Sequence, residues 1–191
     1  NLINTYIESI GNHLDYGSGD NSFVDYMKSN SINSFGYDPI SNNKSTYKHL
    51  KQYNVITFWH SLEHIHDLDY VFNFLSNSLD ENGIIIVAVP NYDSFERKYF
   101  GKYWAAYDLP KHLYHFNPAS LEKIFLKNNY KLIGRRKMYL DTIYVCLLSY
   151  LGSKKINFLK ALYYTFISLL KVSISDKNKS SSLLYVFKSD K

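Results

Sequence analysis

The chain has a single cysteine, Cys146, so no internal disulfide framework holds it together, and a reducing, cytoplasmic compartment is expected. Its N-terminus lacks the basic-then-apolar pattern of a secretory leader. No apolar run reaches the length of a membrane span. The most apolar segment, 157–172, is too short and is interrupted by Lys160 and Lys171. No internal repeat is visible. Glycine is scarce, eight residues in 191, yet Gly17 and Gly19 fall together. With 46% apolar residues over this length, the sequence suits one domain, 1–191, with a full core.

The net charge of +5 is unevenly spread. Residues 1–130 carry 10 Lys/Arg against 14 Asp/Glu, whereas residues 131–191 carry 12 against 3. Such a basic third can face nucleic acid, anionic lipid or a phosphate-bearing substrate. Only Arg135-Arg136-Lys137 and Lys154-Lys155 cluster, however, so a solvated face is the simpler reading and nucleic acid is not the expected partner.

Residues 12–23 hold the most information. Asp15, Gly17 and Gly19 fall where a buried strand, Leu14–Gly17, should turn into a helix over Phe23–Ser29. Two glycines allow a tight turn and close approach of backbone to a ligand, and the helix that follows offers free N–H groups. Asp38 follows 23 positions after Asp15, at the end of a second short strand, Ser34–Asp38, where a carboxylate can accept bonds from a ribose diol. A dinucleotide fingerprint would need a third glycine where Ser22 stands, which disfavours a nicotinamide-dependent oxidoreductase.

Asp15-Tyr16-Gly17-Ser18-Gly19 instead resembles motif I of the class I S-adenosylmethionine-dependent methyltransferases. The usual third glycine of that motif falls at Asn21, a residue that tolerates left-handed backbone. Three further blocks resemble the same family in the same order. Val55–Ile65 contains Leu62-Glu63-His64-Ile65, similar to its Leu-Glu-His-Val/Ile signature. Leu79–Asn91 is similar to its strand ending in Pro-Asn, and Asp108–Phe116 with Pro118–Leu121 to a late segment. Together they cover roughly residues 10–140 and resemble a subgroup related to the ubiquinone-pathway O-methyltransferases and to small-molecule and sugar methyltransferases. Relatives of this kind often carry more sequence ahead of motif I than the dozen or so residues here.

The resemblance implies a Rossmann-like α/β fold, a doubly wound sheet that is mostly parallel with an antiparallel last strand. Only some fifteen residues separate Asp38 from the strand at Val55, so the family's third strand is expected to be short or missing. Further along, periodicity gives a helix over Asp67–Leu79 and a fully buried strand over Ile84–Pro90. A helix over Ser120–Asn128 and strands over Lys131–Tyr139 and Ser182–Lys188 follow, with a short helix over residues 2–10 at the start. Apolar segments 141–151 and 157–172 lie between the last two strands as a helical insertion at about 141–175. That insertion can be a lid, an interfacial membrane helix, or a homodimer contact through 157–172.

The implied cofactor is S-adenosylmethionine, with Asp15, Gly17 and Gly19 at its methionine end, Asp38 at its ribose, and Trp59, His60 and Leu62 bordering the donor methyl. Five of the seven histidines lie between positions 60 and 115. His60, Glu63 and His64 share i, i+3, i+4 spacing, and His112 and His115 repeat i, i+3. Two such segments across one cleft can move a proton or hold a cation. His112 is the first candidate for general base and His115 the second, with Glu63 and His64 beside them. Each can equally be a structural latch. In small-RNA 2′-O-methyltransferases and ubiquinone-pathway enzymes the matching Glu-x-x-Glu-His segment is associated with a metal. Here His60 replaces the first Glu, and a divalent metal stays open. The expected activity is methyl transfer to a hydroxyl of a small-molecule or saccharide acceptor. The alternatives are a methyltransferase-like binding subunit without catalysis and a nucleic-acid methyltransferase.

Overall fold

A computed structural model describes residues 5–7, 10–39, 53–153, 157–174 and 178–190. Its centre is a six-stranded sheet built from β1 (Asn12–Tyr16), β2 (Asn33–Tyr37), β3 (Tyr53–Trp59), β4 (Leu79–Pro90), β5 (Tyr130–Lys137) and β6 (Ser182–Ser189). The strand order is β2-β1-β3-β4-β6-β5. Strands β2, β1, β3 and β4 are parallel, and β6 runs antiparallel between β4 and β5. This is the mixed, mostly parallel sheet expected, with its last strand reversed. The expectation of a missing third strand falls on residues 40–52, outside the described residues, as does much of the helix expected over 2–10.

Alternation along the strands assigns the two faces. Leu14, Ile56, Phe58, Ile85, Val87, Val89 and Phe187 point to one side, beneath α2 (Leu68–Ser78) and α4 (Pro118–Lys127). There Val71, Phe72, Leu75, Leu121 and Phe125 complete the core. Val55, Ile84, Ile86, Leu184 and Val186 point to the other side and meet Met27 of α1 (Ser22–Ser29). The unbroken Ile84–Val89 run is therefore apolar because both faces of β4 are covered. Caps agree with the boundaries: the Asp67 side chain accepts from Tyr70 N–H, and Asn117 with Ser120 forms a capping box on α4. The largest difference from the expected boundaries lies between α2 and β4. Helix α2 stops at Ser78 and extended chain begins at Leu79, with the pairing to β3 shifting register between Tyr53 and Val55.

A second layer lies over the C-terminal ends of the strands. It contains α3 (Phe95–Phe100), two single helical turns at 101–103 and 105–107, α5 (Tyr139–Leu151) and α6 (Phe158–Ile174). Phe100, Trp104, Ala106, Val145 and Cys146 form its small core, with Tyr99 and Tyr164 stacked at 4.9 Å. Trp104 thus serves packing. Helix α4 is anchored through Phe125, whose ring stacks on Phe187 at 3.9 Å with both rings fully buried. Phe125→Ala should cost about 3–5 kcal/mol, from lost transfer energy and the cavity left behind. Urea unfolding followed by circular dichroism checks this.

Candidate active site

The loop after β1 is fixed by three bonds. Gly17 N–H and Ser18 N–H both donate to the Tyr37 carbonyl at the end of β2, at 2.6 and 3.2 Å. Ser61, just past β3, donates its hydroxyl to the Tyr16 carbonyl at 2.7 Å. The turn needs glycine at position 17, where φ is +85° and a Cβ would stand 2.3 Å from the Ser61 Cβ. A Cβ on Gly19, at φ +53°, would meet nothing within 4 Å, so open space lies beside the loop. Asn21, in the third-glycine position, adopts φ +67°, the left-handed backbone its side chain tolerates.

Open crevice and loop together form a cavity of about 530 Å³, lined among others by Gly17, Tyr37, Asp38, His60, Ser61 and Tyr70. The Asp38 carboxylate also accepts from Gly19 N–H at 2.8 Å, which ties the loop to the end of β2. The structure thus brings Gly17, Asp38 and His60 to one crevice, with Gly19 exposed on its loop. It does not bring Asp15, Trp59 or Leu62 there. Asp15 is buried beneath the loop, where it accepts from Thr57 Oγ1 at 2.7 Å. Burial raises its pKa to about 6, with the Thr57 bond opposing and the Asp38 charge adding to the rise. Leu62 is core, and Trp59 packs edge-on against Phe23 at 5.5 Å.

His13, which showed no sequence pattern, extends the Asp15 contact. Its ring nitrogens lie 2.8 Å from Ser34 Oγ and 3.0 Å from Thr57 Oγ1. A buried polar chain therefore crosses β2, β1 and β3 under the loop, and burial lowers the His13 pKa to about 4, keeping the ring neutral. Ser61, Tyr37 and Tyr70 were likewise missed. Backbone closure, rather than a motif, places them in the crevice.

The two histidine segments meet. The Glu63 carbonyl accepts from Leu113 N–H and Tyr114 N–H at 2.9 and 3.3 Å, docking the 62–64 turn on the 111–115 loop. His64 Nδ1 lies 3.0 Å from the Lys111 carbonyl and His112 Nδ1 lies 2.9 Å from the Ala106 carbonyl. A carbonyl can only accept, so both rings carry a proton on Nδ1, which in the neutral ring leaves the lone pair on Nε2. His112 Nε2 lies 3.9 Å from Glu63 Oε1 and 3.9 Å from Asp108 Oδ2. Glu63 is fully buried, and neither of its carboxylate oxygens has a hydrogen-bond partner. One donor atom each from Glu63, His64 and His112 lies within 4.8 Å of the others, a set that fits a divalent cation. His115 lies outside this donor set, its ring 6.4 Å from that of His112 and its Nε2 donating to the Tyr107 carbonyl at 3.1 Å.

His60 joins this cluster to a second cavity of about 460 Å³, lined among others by His112, Asp108, Lys111, Asp141, Tyr144 and Leu148. Its Nε2 lies 2.9 Å from Asp141 Oδ2 and its Nδ1 lies 3.5 Å from Glu63 Oε1. Burial alone would lower its pKa, but the bond to Asp141, the close approach of Glu63 and the charges of both carboxylates override this and raise it to about 9. Burial pushes Asp141 upward in turn, and the His60 bond and charge outweigh it, leaving that carboxyl below its ordinary value. His60 is therefore an imidazolium at neutral pH and in this state no metal ligand.

Comparison with known proteins supplies the family. A family model described as "Methyltransferase domain" matches residues 2–134. The chain belongs to this methyltransferase family. Its fold resembles that of a SAM-dependent methyltransferase from Archaeoglobus fulgidus, at TM-score 0.59 and 16% identity over 98% of this chain and 90% of that one. It also resembles the 1,6-didemethyltoxoflavin-N1-methyltransferase of Burkholderia thailandensis, solved with 1,6-didemethyltoxoflavin and S-adenosylhomocysteine. There the TM-score is 0.59 and identity 10%, over 100% of this chain and 76% of that one. A third, a SAM-dependent methyltransferase from Thiobacillus denitrificans in complex with S-adenosylhomocysteine, gives 0.54 and 11%, over 98% and 89%. No curated protein matches.

The His60 ion pair sets a pH window. A raised histidine pKa adds stability that is complete below the ordinary value of 6.5 and is lost as pH rises through about 9. Asp141→Asn should bring the His60 titration, followed by NMR, down toward its ordinary range. The stability gap between wild type and this variant should then close as pH passes about 9.

Proposed function

We propose that this protein is an S-adenosylmethionine-dependent methyltransferase that methylates a hydroxyl of a small molecule or sugar unit. One observation carries the reading: a strand-end crevice of nucleoside size adjoins a second cavity of mixed apolar and polar lining, and His60 lines both. Two fold neighbours solved with S-adenosylhomocysteine support the choice of cofactor. In this assignment Asp38 holds the ribose, and the loop from Gly17 to Gly19 holds the methionine end. Asp15 acts indirectly, by fixing that loop through Thr57. The acceptor occupies the second cavity, and the family resemblance and lone cysteine favour a cytoplasmic setting.

When bound, the cofactor supplies a methyl group already activated by its sulfonium, so the protein's task is mainly to align the acceptor. His112, which lines the second cavity with its Nδ1 proton held by the Ala106 carbonyl, would take the acceptor hydroxyl's proton at Nε2. Glu63 and Asp108, each 3.9 Å from that nitrogen, stabilise the imidazolium that results. The unpartnered Glu63 carboxylate favours a second reading, in which Glu63, His64 and His112 hold a divalent cation. A cation there would acidify the hydroxyl directly.

Calorimetric titration with S-adenosylmethionine should give saturable heat, weakened tenfold or more by Asp38→Ala and by Gly17→Ala. No heat with the wild-type protein would return the chain to a non-catalytic binding subunit. Against a panel of hydroxyl acceptors, His112→Ala should lower turnover about 10²–10⁴-fold while donor affinity stays unchanged. Chelation separates the two readings: activity that survives it supports His112 as base, and activity lost and restored by a metal supports the cation.

A further inference from the structure

Helices α5 and α6 have more apolar surface than the core uses. Their inner faces are occupied: Val145 and Cys146 of α5 and Tyr164 of α6 pack with Phe100 and Trp104. Their outer faces are also apolar. On α5, Leu140, Ile143, Tyr144, Leu147 and Leu151 are exposed, at i, i+3, i+4, i+7 and i+11. On α6, Leu159, Leu162, Tyr163, Phe166 and Leu170 repeat the same spacing, with Leu140 at 80% and Leu159 at 73% exposed. The helices are neighbours, joined at their facing ends by Tyr150 and Phe158, whose rings are 5.9 Å apart. Two adjacent stripes of this size exceed the scattered apolar residues an ordinary surface carries.

Charge selects the occupant. Residues 139–174 contain four lysines and one acid, Asp141, which is paired with His60. Lys160 and Lys171 of α6 are exposed, Lys171 with its ammonium on the Tyr99 hydroxyl at 2.5 Å. A second copy of the chain meeting this face two-fold would bring a basic segment onto a basic segment, with that one carboxylate already engaged by His60. A surface that is apolar within and negative at its boundary complements both features, and tyrosines such as Tyr139, Tyr144 and Tyr163 suit the boundary itself. No described helix is long and apolar enough to cross a membrane, so the contact lies in the plane of the interface.

We propose that the outer face of α5 and α6 docks the protein on an anionic lipid bilayer. Tyr144 belongs both to the exposed stripe of α5 and to the wall of the second cavity, with the partly exposed Leu148 beside it on that wall, so docking places that cavity's mouth at the lipid surface.

The test is sedimentation of the whole chain with vesicles of phosphatidylcholine alone or with about 30 mol% phosphatidylglycerol added, whose negative surface attracts lysines. Binding should be at least about tenfold stronger to the anionic vesicles and should weaken at high salt, where screening shortens the reach of the lysines. A Leu159→Glu, Phe166→Glu double variant should lose most of this binding while its circular dichroism stays that of the wild type. Both side chains are exposed, so folding is not at stake. Absence of vesicle binding overturns the proposal, as does a dimer in light scattering that this variant dissociates without any lipid binding. Vesicle binding needs no methyl donor, so its outcome is independent of the calorimetric result with S-adenosylmethionine.

Discussion

Everything at the candidate site depends on how the ends of β1, β2 and β3 are tied together. The Tyr37 carbonyl receives two N–H groups from the turn after β1, and the Tyr16 carbonyl receives the Ser61 hydroxyl from the turn after β3. The approach is close enough that position 17 accepts no side chain. Beneath it, the Asp15–Thr57–His13–Ser34 chain spends buried polar groups on one another. A crevice held open by backbone bonds on three strands is pre-organised, which lowers the entropic cost of ordering a ligand in it.

From that crevice the charge pattern continues outward. Glu63 is buried without a hydrogen bond, an arrangement that is costly unless positive charge stands near. The His60 imidazolium, its Nδ1 3.5 Å from Glu63 Oε1, is what the protein provides. The three-residue helical turn, Leu62–His64, that carries this carboxylate is pinned through the Glu63 main-chain carbonyl by the 111–114 loop.

Much of the architecture was legible in the sequence, because the buried parallel strands are short, apolar and bounded by glycine or capping residues. The Ile84–Val89 run could only be a strand covered on both faces. Asn21 was also readable, since left-handed backbone has few occupants. Less visible was which residues face a ligand. Asp15 and Leu62 lie in motifs yet point into the protein, as the pleat of β1 and the packing of the 62–64 turn require. His13 carried no spacing signal, because its partners Ser34 and Thr57 are 21 and 44 residues away and meet it only through strand register. The loop that holds His112 and His115 is not helical; its backbone turns His115 toward Tyr107 with the two histidine rings 6.4 Å apart.

The most direct measurement is a crystal structure of the protein grown with S-adenosylhomocysteine. The account predicts its ribose against Asp38, its amino-acid end along Gly17–Gly19 and its sulfur turned toward His60 and the second cavity. A crevice left empty at saturating ligand, or the nucleoside bound at some other edge of the sheet, would contradict it.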